Sequence, residues 1–158
     1  MEEHAFQDLI PDNYCFGCGP LNPDGLQIKS YWDGQESVCT FQPSSAHAAG
    51  PRQFLNGGIT ATVIDCHAVC TAIAWAYRSE ARAVGSDPRI WFVTSSLEVQ
   101  YLAPAPIEEP VHVRARVLEA SPRKALLDCS LSSGGIPRAS ARVVAVRVPP
   151  SWRRGASG

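Results

Sequence analysis

The sequence predicts an α+β domain in which one long central helix is wrapped by an antiparallel sheet of about six strands. Two observations carry this expectation. No Gly or Pro interrupts the chain between Gly58 and Gly85, and Ile59, Val63, Cys66, Cys70, Ile73 and Tyr77 recur at steps of four and three, one stripe of an α-helix. The stretches on either side are instead β-rich or alternating and are divided by turn residues. A single striped helix beside such a sheet buries its stripe only if the sheet wraps around it.

Taken in order, His4 to Ile10 reads as a short helix stopped by Pro11. Cys15-Phe16-Gly17-Cys18-Gly19-Pro20-Leu21-Asn22-Pro23-Asp24-Gly25 is rich in turn residues. Leu26–Trp32 and Ser37–Phe41 form a hairpin around Asp33-Gly34, a strong turn dipeptide. Pro43 to Leu55 is a loop that delivers the chain to the helix, where Asn56 is a good N-cap and Gly57 and Gly58 leave the first free N–H groups approachable. Arg78 to Pro88 is a polar surface connection. Four strands follow: Arg89–Tyr101, ended by Pro104 and Pro106; Val111–Val117, whose apolar residues alternate with His112, Arg114 and Arg116; Ala125–Leu131 after the turn Ser121–Lys124; and Arg138–Val148 after Gly134-Gly135. Short turns between alternating strands imply antiparallel neighbours. Residues 1–150 make one domain, and 151–158 are expected to be a disordered tail.

The 158 residues are enough for one domain with a real core, and 45% hydrophobic against 18% charged residues describes a globular chain. A formal net charge of −1 gives no general attraction to nucleic acid or to an anionic membrane. No apolar run approaches the roughly 20 residues needed to cross a bilayer, and residues 1–30 lack the basic start and apolar core of a signal peptide. The expected setting is cytoplasmic and reducing, so the six cysteines are not read as a disulfide framework.

On a helix at 100° per residue, Gly58, Ala61, Thr62, Asp65, Val69, Ala72 and Ala76 share a second face about 120° from the apolar stripe. Small residues there suit close approach of another backbone, hence a homodimer contact, and the face carries one acid. Asp65 is the only carboxylate between Glu36 and Glu80. His67 points about 160° from Asp65, which argues against a dyad within one chain, and the plainer expectation for His67 is a polar outer face with Thr60, Thr71 and Arg78. Cys15, Cys18, Cys66 and Cys70 could suggest a four-thiolate zinc site. Cys66 and Cys70, however, sit on the apolar stripe, where small cysteines are common, so neither metal nor cofactor is expected. His47 is a candidate because its loop precedes the helix and could reach its start, and Arg123 and Lys124, paired basic residues at a strand-opening turn, are candidates for contact with phosphate groups.

Three motifs together resemble the hot-dog-fold acyl-CoA thioesterases of the PaaI-like branch, over roughly residues 12–148. They are Cys15-Phe16-Gly17-Cys18-Gly19 with Asn22-Pro23-Asp24-Gly25-Leu26; Asn56-Gly57-Gly58 with Asp65; and Thr94-Ser95-Ser96-Leu97-Glu98-Val99-Gln100-Tyr101 with Pro104. The resemblance implies that the Gly57 N–H polarises the thioester carbonyl, that Asp65 attacks it or activates water, and that Thr94 assists. Gly58 and Ser95 are then substrate contacts beside these groups. It also implies acyl-CoA or acyl-carrier substrates and sites built from two subunits, in a homodimer or a dimer of dimers. Where the family usually has His before the two glycines, this chain has Asn56, which can cap and donate but cannot carry a proton. Two alternatives to the hydrolase are a non-hydrolytic acyl-thioester binder and a dehydratase of the same fold.

Overall fold

A computed structural model describes residues 4–154. Its centre is helix α2 (Gly57–Ser79), and the way α2 begins is local chemistry. Asn56 lies in the extended region, and its Oδ1 accepts both the Gly58 N–H at 2.8 Å and the Ile59 N–H at 3.1 Å. A short helix α1 (Phe6–Leu9) precedes the sheet. The strands are β1 (Ser30–Asp33), β2 (Glu36–Phe41), β3 (Phe92–Tyr101), β4 (Val111–Ala120), β5 (Lys124–Ser133) and β6 (Ile136–Arg147). They form one sheet in the order β1-β2-β4-β5-β6-β3, with every neighbouring pair antiparallel. The hairpin turn sits at Gly34, whose φ of +66 suits a residue without Cβ.

Two predicted strands start later than expected, each for a visible reason. Leu26 and Ile28 donate their N–H groups to Phe16 and Gly17 carbonyls at 2.9 and 3.1 Å. Leu26 and Ile28 are therefore tied to the turn-rich loop, and ladder pairing with β2 begins only at Ser30. At the head of β3, the Ile90 N–H goes to the Tyr77 hydroxyl at 2.9 Å, so that residue belongs to the helix side. The expected tail also begins differently, because Pro150–Arg154 form a short helix α3; residues 155–158 lie outside the described residues.

Packing follows the alternation of the strands. Val111, Val113 and Ala115 of β4 are buried while His112, Arg114 and Arg116 are not, and β5 turns Ala125, Leu127, Cys129 and Leu131 inward. On β6 the inward residues are Ala139, Ala141, Val143 and Ala145, short side chains that let α2 lie close to the sheet. The expectation that no apolar segment reaches bilayer length is corrected by α2. An 18-residue stretch within its 23 residues has a mean hydropathy of 1.5 and meets that measure by length and composition, yet two thirds of that stretch is buried inside the fold. A helix sheathed by its own sheet is apolar because it forms the core.

The polar outer face predicted for His67, Thr60 and Thr71 is also corrected, because all three are buried. His67 has no exposed surface, and its ring is bonded at both ends: Nδ1 to the Ser30 hydroxyl at 2.7 Å and Nε2 to the Ser37 hydroxyl at 3.0 Å. Ser37 also meets Thr71 Oγ1 at 2.6 Å, Thr71 donates to the His67 carbonyl at 2.7 Å, and Gln7 Nε2 donates to Ser30 at 2.9 Å. One proton assignment makes all of these bonds. Thr71 donates to the carbonyl, so Ser37 donates to Thr71 and accepts from His67 Nε2–H. Ser30 then donates to Nδ1 and accepts from Gln7. The ring is neutral, and burial pushes its pKa down to about 4. Periodicity could not show this, because the partners come from Gln7, Ser30 and Ser37, far away in the chain. His67→Ala should lower the unfolding free energy by about 2–4 kcal/mol, through a cavity and stranded hydroxyls. Urea denaturation checks this, and a change under about 0.5 kcal/mol would show that the cluster is not stabilising.

Candidate active site

The start of α2 presents one donor. Asn56 takes up the Gly58 and Ile59 N–H groups, and among the described residues nothing accepts from the Gly57 N–H. That group points out of the positive end of a helix 23 residues long. The Gly57 carbonyl accepts from the Tyr101 hydroxyl at 2.7 Å, and the Tyr101 ring lies 3.5 Å from where a Cβ on Gly57 would sit. A cavity of about 290 Å³ opens here, lined by Leu55, Gly57, Tyr101, Pro104 and Arg138 among others. A larger groove of about 910 Å³ runs beside the preceding loop, lined by residues including Gln42, Arg52, Phe54 and Ile107. It includes none of the predicted site residues.

Asp65 and Thr94 are brought together: Thr94 Oγ1 donates to Asp65 Oδ1 at 2.6 Å. Among the described residues this is the only hydrogen bond to the carboxylate, which leaves Oδ2 free. Burial pushes the Asp65 carboxyl above its ordinary value, against the Thr94 hydrogen bond that holds it down. The register of β3 on β6 slips between Thr94 and Ser96, so Ser95 is the extra residue of a β-bulge. Bulges of this kind re-aim side chains beside functional sites. Thr94, Ser95 and Ser96 are all exposed.

The donor and the acid are not brought together within one chain. Gly57 and Asp65 are eight steps apart on one helix, about 12 Å along its axis. Gly57 lies by Tyr101 at the end of β3, while Thr94 lies near its beginning. Arg123 and Lys124 fall at the Thr94 end of the sheet, since Lys124 pairs with Val146 and Val146 with Val93. His47 lies at the Gly57 end, where its carbonyl accepts the Asn56 N–H at 2.9 Å. Its Nδ1 accepts from the Ser44 N–H at 3.0 Å, so the ring serves the turn before the helix. Each chain thus carries a donor half (Asn56, Gly57, Gly58, His47) and an acid half (Asp65, Thr94, Ser95, Arg123, Lys124). The open side of α2 links them, with Gly58 exposed and Ala61, Thr62, Asp65 and Val69 partly so.

Two residues of the donor half escaped the sequence reading. Tyr101 was visible only as part of a motif, and Arg138, which donates to the Pro104 carbonyl at 2.9 Å, only as a strand residue. The fold also gathers four thiols beside α2. Cys15 Sγ lies 3.7 Å from Cys66 Sγ, and Cys18 Sγ lies 3.7 Å from Cys70 Sγ. The sulfurs of Cys15, Cys18 and Cys66 all fall within 4.8 Å of one another. By contrast, Cys39 and Cys129 are buried apart from this group, and burial pushes each thiol up to about 12.

Residues 53–139 match the Thioesterase superfamily. A Thioesterase superfamily protein from Shewanella loihica PV-4 superposes with a TM-score of 0.63 at 34% identity, over 77% of this chain and 91% of that one. The Escherichia coli PaaI protein from the phenylacetic acid degradation operon gives a TM-score of 0.59 at 17% identity, over 78% and 81% of the two chains. A Streptococcus mutans protein bound to acetyl CoA gives 0.61 at 12% identity, over 77% and 88%. The last two likenesses speak for the fold alone. A search of curated proteins returns no match.

Proposed function

We propose, starting from the chain's membership of the thioesterase superfamily, that it hydrolyses an acyl-CoA or acyl-carrier thioester in a site shared by two copies. The hot-dog fold of that superfamily, one long helix packed on a six-stranded antiparallel sheet, is the fold described above. The observation that carries the proposal is the division of chemistry along α2, with an unpaired N–H at one end and a carboxylate held by Thr94 two turns on. Strand β3 is the sheet edge beside both halves. A second copy paired antiparallel across β3 reverses the ends, which sets the Gly57 N–H of one chain against the Asp65 of the other. A two-fold partner completes two such sites at once.

The reaction then runs as follows. The thioester oxygen sits on the Gly57 N–H, where negative charge develops as the carbonyl carbon becomes tetrahedral. Asp65 Oδ2 removes a proton from water while Thr94 fixes Oδ1, and the water oxygen bonds to the carbonyl carbon. Collapse breaks the C–S bond, and the departing thiolate takes the proton from Asp65. The products are free acid and free thiol. Asn56 takes no part in proton transfer, because its Oδ1 is committed to two helix N–H groups. Arg123 and Lys124, at the acid end, meet the CoA phosphates.

A panel of acyl-CoAs assayed by free-thiol release, together with sedimentation at micromolar concentration, tests both claims. Turnover by a dimer or larger assembly is expected. Binding of acyl-CoA with no thiol release would favour the non-hydrolytic binder, and an active monomer would remove the shared site.

A further inference from the structure

The four gathered thiols belong neither to the donor half nor to the acid half. We infer that Cys15, Cys18, Cys66 and Cys70 form a structural site for one thiophilic divalent cation, zinc by ligand chemistry, which clamps the turn-rich loop onto the middle of α2. The sequence alone favours a simple core role for Cys66 and Cys70, and the geometry points the other way.

The spacing of Cys15, Cys18 and Cys66 fits a metal, and Cys70 joins them through Cys18. A tetrahedral zinc with Zn–S bonds of about 2.3 Å holds its sulfurs about 3.8 Å apart. Here two sulfur pairs stand at 3.7 Å, Cys15 with Cys66 and Cys18 with Cys70. The third contact set, with Cys15, Cys18 and Cys66 all within 4.8 Å, is one that two separate disulfides would not need. A disulfide also needs its sulfurs at about 2.05 Å, and all six cysteines are free.

The backbone is shaped for the same purpose. A Cβ on Gly17 would lie 2.2 Å from Cys66 Sγ, so only glycine lets the loop come this close to that sulfur. A Cβ on Gly19 would lie 2.3 Å from the Cys15 nitrogen, inside the tight turn closed by the Gly19 N–H to the Cys15 carbonyl at 2.8 Å. Asn13 supports both loop cysteines: its Oδ1 accepts the Cys15 N–H at 3.1 Å, and its Nδ2 donates to Cys18 Sγ at 3.8 Å. Bonds that orient metal ligands from outside are a regular part of such sites. The ligand spacing is also mechanically sensible, two from a C-x-x-C turn and two one helical turn apart. Four thiolates favour zinc over harder cations, and a closed four-ligand set suits a structural ion. Loading releases the four thiol protons and leaves a complex of net charge −2. The exposed Cys15 side gives that charge access to water.

The experiment uses the full chain, untagged and expressed in zinc-containing medium. Elemental analysis after exhaustive dialysis should find one zinc per chain, released in step with thiol titration by a mercurial. Cobalt(II) reconstitution of the unaltered protein should give the charge-transfer and visible bands of a tetrahedral four-thiolate complex. Cys15→Ser, at the exposed position, should lose the metal and lower Tm, whereas Cys129→Ser, outside the cluster, should keep it. Metal-free protein from the first purification, or a Cys15–Cys66 or Cys18–Cys70 disulfide in unreduced peptide maps, would overturn the inference. So would zinc retained in full by a folded Cys15→Ser chain. None of these readouts depends on thioester turnover.

Discussion

Asp65→Asn is expected to lower kcat on the best thioester by about 10²–10⁴ while leaving acyl-CoA affinity nearly unchanged. Asn matches the carboxylate in size, and its Oδ1 can still accept from Thr94 Oγ1, the 2.6 Å contact in the parent. Folding and assembly should therefore survive. What is lost is the free oxygen that accepts a proton from water, an interaction that exists only on the way to the transition state. Steady-state kinetics should therefore show kcat and kcat/KM falling together. Parental kcat in the variant would make Asp65 a structural acid and remove the proposed mechanism.

Gly57→Pro is expected to cost about 10²–10³ in kcat, the usual consequence of deleting one oxyanion donor. The substitution removes a single N–H, at the first helical position, where proline is well tolerated. Asn56 already has φ −60 and ψ 134, the extended conformation that a residue before proline prefers. A Cβ at position 57 meets the Tyr101 ring at 3.5 Å, an ordinary contact. Gly57→Ala is the matched control, since it adds the same Cβ and keeps the N–H. Circular dichroism should show parental helix content in both. A proline variant as fast as the alanine variant would show that the carbonyl is polarised elsewhere.

The helix and its cap were legible in the sequence because each depends on local spacing, whereas Asp65 and Thr94 were singled out by motif resemblance and their hydrogen bond appears only in the fold. Strands β4 to β6 were legible from alternation and turn residues. His67 was misplaced because helical angles give direction and not what lies in that direction. Its partners Ser30 and Ser37 sit on a hairpin, and hydroxyl-bearing strand residues look the same whether they meet water or a histidine. The thiol cluster was hidden for a related reason. Cys66 and Cys70 fit an apolar stripe perfectly well, and only the fold shows that Cys15 and Cys18 arrive at the same point. Tyr101 was passed over because its contact is to a backbone carbonyl, a partner that no side-chain pattern reveals.

The buried bonds around His67 bear on the site from the far side of α2. Apolar packing is nearly indifferent to how a smooth helix is rolled about its own axis, because burial has no preferred direction. Hydrogen bonds do have one, and they weaken steeply when bent. With both ring nitrogens of His67 bonded to strand hydroxyls, and Thr71 bonded one turn further on, rolling α2 by even a modest angle breaks several of them at once. Asp65 points about 160° from His67, so this cluster acts as an indexing pin whose setting is read out on the opposite side. The bearing of the carboxylate toward Thr94 is fixed by residues that never approach it.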